Sequence, residues 1–217
     1  MSSLSLVILA LAVGTAHGQS TGSIVGWGRQ VAVEQSALDS LIAVAGGGSH
    51  SLGLRSDGTI VAWGRNDDGQ CIVPEPNEDF IAVAGGRFHS LGLRSDGTIE
   101  AWGQNNYGQC TVPEPNEGFI AVAGGRNHSL GLKSDGTIET WGRNDDGQCN
   151  VPQPNEGFIA AAGGGYHSLG LKSDGTIVAW GKNNKGQCTV PEPNEDFIAV
   201  AGGNNHSLGL KSDGTIV

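Results

Sequence analysis

The chain of 217 residues has few cations, few aromatic residues and no long apolar run beyond its first residues. Twelve Lys and Arg stand against 22 Asp and Glu, so the formal net charge is −10. A chain this acidic repels a phosphate backbone on average, and we expect no nucleic-acid partner. No apolar period typical of a helix appears, and no stretch after residue 18 could cross a bilayer. We therefore expect a β protein without a stable membrane anchor.

The amino terminus carries the one notable apolar segment. Residues 4–13 are apolar and are followed by Ala16-His17-Gly18. This pattern predicts a secretory signal peptide over residues 1–18, and hence a secreted or periplasmic protein. No Lys or Arg precedes the apolar run, so an uncleaved anchor is the alternative.

Cysteine is also scarce, with four residues at positions 71, 110, 149 and 188. Four cysteines in an exported chain usually indicate two disulfides. Their equal spacing instead places them at equivalent points of neighbouring repeats, farther apart than the ~7 Å between Cα atoms that a disulfide allows. We predict a small, partly buried thiol at each position, with bridges between molecules as the alternative.

Glycine, in contrast, is abundant at 37 residues, and the chain is built on an internal repeat. Near-copies of HSLGLRSDGTIEAWG start at His50, His89, His128, His167 and His206, always 39 residues apart. The tryptophans and cysteines keep the same step. A fixed period of this length is the mark of a repeat architecture.

One repeat predicts three antiparallel strands and a short fourth. The first, residues 80–84, is apolar and ends in two glycines, as expected of a strand that is buried on both faces where backbones crowd together. Residues 89–93 and 98–102 form the next two strands, joined by a hairpin whose Gly97 takes the left-handed position. Residues 110–112 could add the fourth strand.

Such a unit cannot bury its faces alone, and radial stacking of several units makes a β-propeller. We therefore predict an all-β fold in which residues 19–217 form about five blades of 39 residues. The first unit is atypical, since 23 residues separate Trp27 from His50 where 26 separate Trp63 from His89. Atypical terminal repeats are common in such folds.

The segment HSLGLKSDGTIVAWGKNNKGQ resembles the repeat of the regulator-of-chromosome-condensation (RCC1) family, whose signature runs through His-Ser/Thr, an acidic-Gly turn, Trp-Gly and Asn-x-x-Gly-Gln. The resemblance covers residues 23–217. The period of 39 residues and the GQxxVP joint are closest to the secreted β-lactamase-inhibitor-protein-II type. The resemblance implies a seven-bladed propeller that binds another protein.

Five repeats are fewer than such a ring needs, and the chain stops at Thr215-Ile216-Val217, inside the third strand of its last repeat. We expect a truncated part of a seven-bladed ring. The alternative is a five-bladed ring that residues 23–27 would close.

Two loops per repeat vary in sequence, and antiparallel succession places both at the same end of the blades, here called the upper face. The lower turns barely change, reading RSDGT or KSDGT throughout. A constant frame with variable loops on one face is typical of a scaffold that displays a binding surface. The candidate partner-binding residues are Arg87, Phe88, Tyr107, Arg126, Asn127, Tyr166, Lys185, Asn204 and Asn205.

In the inhibitor type, positions matching Arg87-Phe88 and Gly165-Tyr166 carry aromatic residues that contact the partner. The resemblance therefore implies Phe88, Tyr107 and Tyr166 as anchors. The alternative is that these positions simply tolerate change, as loop positions often do.

We expect no catalytic residue, metal or cofactor. The five histidines recur at identical positions, which indicates a structural residue hydrogen-bonded within its own blade. The tryptophans are expected to pack between blades, each Nε1–H with one acceptor. The Asn-Asp-Asp-Gly loops at residues 66–69 and 144–147 hint at calcium but lack the bidentate Glu of a loop site. The acidic joints between repeats, such as Glu75, are expected to form a solvated lower face.

The leading hypothesis is thus an exported, non-catalytic propeller that binds a protein through its upper face. The alternatives are an inhibitor of a β-lactamase or cell-wall enzyme, a glycan-binding propeller, a hydrolase or lyase propeller and, from the family name alone, a guanine-nucleotide exchange factor.

Overall fold

A computed structural model describes residues 38–217. The predicted signal peptide, most of the atypical first unit and residues 23–27 lie outside the described residues. The model contains strands β1 Leu41–Gly46, β2 His50–Arg55, β3 Ile60–Gly64, β4 Phe80–Gly85, β5 His89–Arg94, β6 Ile99–Gly103, β7 Phe119–Gly124, β8 His128–Lys133, β9 Ile138–Gly142, β10 Phe158–Gly163, β11 His167–Lys172, β12 Ile177–Gly181, β13 Phe197–Gly202 and β14 Ser207–Lys211.

Each repeat forms its own small antiparallel sheet, with strands paired in chain order. Four sheets have three strands (β1-β2-β3 to β10-β11-β12), and the last has β13 and β14, with a single bridge from Leu210 to Ile216. The three predicted strands are thereby confirmed in four repeats, and the first two are confirmed in the last. Within residues 38–217, no helix is long and apolar enough to cross a membrane.

The first strands of successive sheets lie side by side around a common axis, and backbone hydrogen bonds join them. Gly48 donates its N–H to the Gly86 carbonyl at 3.1 Å, and Arg126 donates to that of Gly164 at 3.1 Å. A Cβ on Gly124 would lie 2.6 Å from the Gly86 nitrogen. The predicted crowding of backbones at the paired glycines is confirmed.

The prediction that this first strand is buried on both faces is wrong. Ile81 is 54% exposed, and its equivalents in the other sheets are similarly exposed. The register shifts between Phe80 and Ala82, so Ile81 is the extra residue of a bulge without a partner on β5. A bulged residue leaves the alternation of the strand, and here it turns away from the core.

The short fourth strand predicted at residues 110–112 is absent. The segment is a turn followed by irregular chain, and Val112 packs against the core. The linker that follows instead pairs through a side chain: Asn116 Oδ1 accepts the Ile99 N–H at 2.8 Å, and Asn116 Nδ2 donates to the Ile99 carbonyl at 2.9 Å. The side-chain amide of one asparagine thus pairs with both backbone groups of Ile99, at the start of the outer edge of β6.

The hydrophobic core consists of separate clusters, each lying between two consecutive sheets. Leu91, Leu93 and Ile99 of one sheet pack against Phe119 and Trp141 of the next. Trp141 Nε1 donates to the Gln109 carbonyl at 2.9 Å. The predicted placement of tryptophan between blades, with one acceptor, is confirmed.

The repeated histidine also joins two sheets, so the prediction of a bond within its own blade is wrong. His89 Nε2 lies 2.9 Å from Ser129 Oγ of the next sheet, and Ser129 Oγ donates to the Gln109 carbonyl at 2.8 Å. Because the serine proton is committed to Gln109, Nε2 of His89 is the donor. His89 Nδ1 is buried without a partner, and a Cβ on Gly86 would overlap the ring.

Burial keeps these histidines neutral. Loss of solvation lowers the pKa of His89 to about 3 and that of His128 to about 4. Protonation of His89 would place a proton on Nδ1, which has no hydrogen-bond partner, and that agrees with its lowered pKa.

Candidate protein-binding face

The two variable segments of each repeat lie at the same end of the sheets. In the four complete repeats, the first residue of the loop after the third strand donates its N–H to a residue of the turn after the first strand. The pairs are Arg65 to Ser49, Gln104 to Phe88, Arg143 to Asn127 and Lys182 to Tyr166, at 2.8–2.9 Å. The upper face is therefore formed by turns 47–49, 86–88, 125–127, 164–166 and 203–205 together with loops 65–70, 104–109, 143–148 and 182–187.

The loop holds its shape with the residues that recur. Asn105 Oδ1 accepts the Cys110 N–H at 2.8 Å, Gln109 Oε1 accepts the Tyr107 N–H at 2.9 Å, and Gly108 has φ +80°. Only the side chains of the two residues after the asparagine take no part in holding the loop. Tyr107 is one of them, and its side chain is 48% exposed.

A cavity of about 370 Å³ opens on the axis at the centre of the upper face. Glycine backbone from all five sheets forms its wall, and the side chains of Arg65, Arg87, Phe88, Arg126 and Asn204 line it. Four of the predicted site residues therefore converge on one space.

The aromatic candidates lie among cations. The guanidinium carbons of Arg87 and Arg65 lie 4.6 and 5.0 Å from the centre of the Phe88 ring. Such contacts contribute about 0.5–1 kcal/mol at exposed sites and hold both groups in place. Because Arg65 belongs to the preceding repeat, the contact also spans two sheets.

A second cluster surrounds Tyr166. Arg126, Lys182 and Arg143 lie 4.8, 4.9 and 5.4 Å from its ring centre. Arg143 also lies 5.3 Å from the ring centre of Tyr107, so one guanidinium connects two of the predicted anchors. The clusters form an ordered aromatic and cationic surface on the upper face.

The acidic loop residues pair with these cations. Arg143 Nε contacts Asp145 at 2.8 Å, Lys182 Nζ contacts Asp146 at 3.4 Å, and Arg65 Nε contacts Asp67 at 2.8 Å. The hydrogen bond to Asp145 raises the pKa of Arg143. Among the described residues, no group of three or more His, Cys, Asp or Glu is arranged to hold a metal ion.

The remaining candidates lie apart from the clusters. Asn127 is only 9% exposed. Lys185 and Asn205 line a different cavity, of about 240 Å³, beside the last sheet. The structure thus brings together Arg87, Phe88, Arg126, Tyr166 and Tyr107 and leaves Lys185 and Asn205 elsewhere.

Three cations of the site were not predicted from the sequence: Arg65, Arg143 and Lys182. All three directly follow the Trp-Gly pair that ends the third strand, where the second repeat has Gln104. Comparison of this single position between repeats would have found them.

The cysteines are free and partly buried, as predicted. Burial raises the pKa of Cys110 to about 12 and that of Cys149 to about 11. Cys110 Sγ lies 3.3 Å from the Gln104 carbonyl oxygen. A protonated thiol that is hydrogen-bonded to the backbone is a poor nucleophile. The cysteine thiols therefore help to hold the loop in shape.

The lower face differs in chemistry. In each hairpin an aspartate caps its own turn, as Asp96 Oδ1 accepts the Thr98 hydroxyl at 2.7 Å and the Thr98 N–H at 2.9 Å. These two bonds lower the pKa of Asp96. With the acidic linkers, the turns make this face negative and nearly the same in every repeat.

Small sheets that each bury one side against the next, around one axis, define a β-propeller. Comparison with known families agrees: the model of the regulator of chromosome condensation (RCC1) repeat matches residues 41–70, 80–109, 119–148 and 158–187. The chain belongs to the RCC1 repeat family. No curated protein matches it significantly by overall sequence.

Solved structures share this fold. Prp20p of Saccharomyces cerevisiae, whose structure was described with its binding to Gsp1p and histones, superposes with a TM-score of 0.67 at 24% identity, over 81% of this chain and 56% of that one. Human WBSCR16 gives 0.68 at 22% identity, over 81% and 60%. The ectodomain of the receptor kinase ACR4 of Arabidopsis thaliana gives 0.65 at 25% identity, over 82% and 64%. The chain therefore spans less than two thirds of each relative.

Proposed function

We propose that the chain is a non-catalytic protein-interaction module that binds its partner through the upper face. The observation that carries the proposal is the cation–aromatic surface around Phe88 and Tyr166, placed where the repeats differ from one another. Prp20p, a protein of the same fold, binds Gsp1p and histones, which supports an interaction role for the fold but not the identity of this chain's partner.

The composition of this surface suits recognition. Residues that dominate binding energies at protein interfaces are enriched in Tyr, Trp and Arg and cluster near the centre of the contact. Here Phe88, Tyr166 and four arginines are held by mutual stacking, so that less side-chain freedom is lost on binding. The histidines and cysteines belong to the frame and offer no reactive group.

The test is the double substitution Phe88→Ala and Tyr166→Ala. Immobilised protein would be used to capture proteins from the fluid that surrounds the producing cells, and mass spectrometry would identify those that depend on the two rings. The matched control replaces Ile81 and Ile120, two exposed apolar residues outside the upper face, by Ala. We expect capture to be lost in the first variant only. Equal capture by both variants would exclude the upper face.

We further propose that the protein is exported, from the apolar run and small residues of the first 18 positions. The amino-terminal sequence of the protein recovered outside the cells tests this. It should begin at Gln19, and a chain retained inside the cells with Met1 intact would contradict export.

A narrower candidate is inhibition of a β-lactamase or related cell-wall enzyme. It is favoured by the 39-residue repeat and the GQxxVP joints. Purified protein added to a β-lactamase assay at micromolar concentration should then slow the reaction. Unchanged rates with several such enzymes would remove this candidate and leave the interaction role in place.

A further inference from the structure

The two faces of the protein carry opposite charge. The lower turns, strand ends and linkers hold five cations (Arg55, Arg94, Lys133, Lys172 and Lys211) and fifteen carboxylates (Asp39, Asp57, Glu75, Glu78, Asp79, Asp96, Glu114, Glu117, Asp135, Glu156, Asp174, Glu192, Glu195, Asp196 and Asp213). The upper face holds six cations (Arg65, Arg87, Arg126, Arg143, Lys182 and Lys185) and four carboxylates (Asp67, Asp68, Asp145 and Asp146). A chain with a net charge of −10 therefore has one cationic face.

The cationic charge is concentrated at the axis. Arg65, Arg87 and Arg126 line the cavity of about 370 Å³, and no carboxylate is among its lining residues. The four upper carboxylates lie in the loops farther out: Asp67, Asp145 and Asp146 pair with Arg65, Arg143 and Lys182, and Asp68 accepts a hydrogen bond from Gln104. The centre of the face is thus positive and its rim is mixed.

Two of the three arginines have no acidic partner. Among residues 38–217, no carboxylate oxygen lies within ion-pair distance of Arg87 or Arg126. Both stack on aromatic rings instead, Arg87 on Phe88 and Arg126 on Tyr166. Stacking occupies the flat side of a guanidinium and leaves its edge, which carries the N–H donors, for a carboxylate.

Arg126 carries a sharper sign of an absent acceptor. Its Nε is buried and has no hydrogen-bond partner. A buried donor on a charged group is normally paired, so the unpaired Nε indicates that this guanidinium is under-satisfied in the free protein. Because Nε itself is enclosed, an acceptor on a bound partner would pair with the part of the guanidinium that faces the cavity.

The backbone of the cavity cannot serve an anion. The N–H groups of Gly48, Arg87, Arg126 and Gly165 already donate to the carbonyls of the next sheet. An anion in the cavity would therefore depend on side chains, among which the arginines carry the positive charge.

From these contacts, and resting on the proposed function, we propose that the axial cavity is the specificity site of the upper face and that it binds an acidic segment of the partner protein, with Arg87 and Arg126 each pairing with a carboxylate. Phe88 and Tyr166 hold the guanidinium groups in position and pack against the segment.

The surroundings favour a short acidic peptide segment over a nucleic acid. The cavity admits side chains or a tight loop but no duplex. A long phosphate backbone would extend over the acidic loops at the rim, and the net charge of −10 would repel it. An acidic loop instead places its charges together at the axial cavity, where the arginines make the field of the protein attractive to anions.

The experiment measures binding of a fluorescent hexaglutamate peptide by anisotropy at low salt, with hexaglutamine, a short thymidine oligonucleotide and a heparin oligosaccharide as comparison probes. Wild type should bind hexaglutamate more tightly than any of the other three. The variant Arg87→Gln with Arg126→Gln should weaken this binding about tenfold or more, since two charge-assisted hydrogen-bonded pairs are lost.

The matched control is Lys172→Gln with Lys211→Gln, which removes the same charge from the lower face and should change the affinity by about twofold or less. Thermal unfolding and circular dichroism would establish that both variants fold. Equal loss in the two variants would overturn the site, because it would indicate only a general field. Tighter binding of the oligonucleotide or heparin would also overturn it, in favour of a polyanion site.

Failure of this inference is distinguishable from failure of the proposed function. If hexaglutamate does not bind wild type but partner capture still depends on Phe88 and Tyr166, the upper face binds proteins by other chemistry and only the acidic segment is wrong. If capture is also independent of the two rings, the proposed function fails as well.

Discussion

The contact between neighbouring sheets and the upper face are built from the same repeat but follow opposite rules. Between sheets, one set of residues recurs: His128 pairs with Ser168, Trp180 donates to the Gln148 carbonyl, and equivalent apolar side chains fill each cluster. On the upper face, each repeat has different residues, and Arg87 and Arg126 stack on rings with no carboxylate within ion-pair distance among residues 38–217. The repeated residues therefore maintain the structure, and the changing ones are available for binding.

The largest effect that distinguishes the contacts between sheets from the upper face is expected to be a loss of stability when the pH is lowered. The four buried histidines of the sheet contacts, His50, His89, His128 and His167, have pKa values lowered to about 3–4, whereas unfolded histidine titrates near 6.5. The unfolded chain therefore binds more protons between these values. Their contribution to stability is fully present above about pH 6.5 and is lost as the pH falls towards 4, because the unfolded histidines then bind protons that the buried ones do not.

Urea unfolding at several pH values measures this effect. The free energy of unfolding should be level between pH 7 and 8 and fall steeply below 6.5, with an uptake of up to four protons. A stability that is unchanged from pH 7 to 5 would show that the histidines are not buried between sheets.

The next effect comes from Trp141→Ala. The ring is 6% exposed and fills the cluster between two sheets, so its removal should lower the free energy of unfolding by about 3–5 kcal/mol. On the upper face, Tyr107→Ala removes a ring that is 48% exposed and should change stability by less than about 0.5 kcal/mol. Similar losses in urea unfolding would remove the distinction between the two regions.

A smaller effect is expected at the linkers. Asn155→Ala removes both hydrogen bonds to the backbone of Ile138, each 2.9 Å long, and leaves two partly buried groups unpaired. The free energy of unfolding should fall by about 1–3 kcal/mol. Asn184→Ala, at an exposed loop position, is the matched control and should leave it unchanged. A neutral Asn155→Ala would show that the linker is not part of the frame.

The strands, the position of tryptophan and the variable face were all predictable from the 39-residue period, because each follows from alternation, turns and chain direction within one repeat. The wrong predictions concern contacts that depend on the folded arrangement of the chain and not on the residue pattern of one strand. The histidine forms its hydrogen bond with Ser129 of the next sheet. The sequence of a single strand does not specify how neighbouring sheets align. The bulge at Ile81 depends on pairing with β5, and the missing fourth strand depends on the folded position of Asn116.

Prediction of the site was limited in the same way. Phe88, Tyr107 and Tyr166 could be named as candidates because they interrupt a repeating pattern. Their cationic partners come from neighbouring repeats, as Arg65 does for Phe88 and Arg143 for Tyr166, so that the clusters appear only when sheets are placed side by side. The charge of the axial cavity likewise arises from residues of different repeats.

Whether the frame and the binding surface are separable can be tested by replacing the cations and rings of three other turns with the residues of the first. The first turn reads Gly48-Ser49, so the variant carries Arg87→Gly, Phe88→Ser, Arg126→Gly and Tyr166→Ser. Circular dichroism, urea unfolding and partner capture would be measured on the same preparation. We expect a folded, cooperative protein with the strand content of the wild type and no partner capture, and full capture by this variant would show that the upper face is not the binding surface.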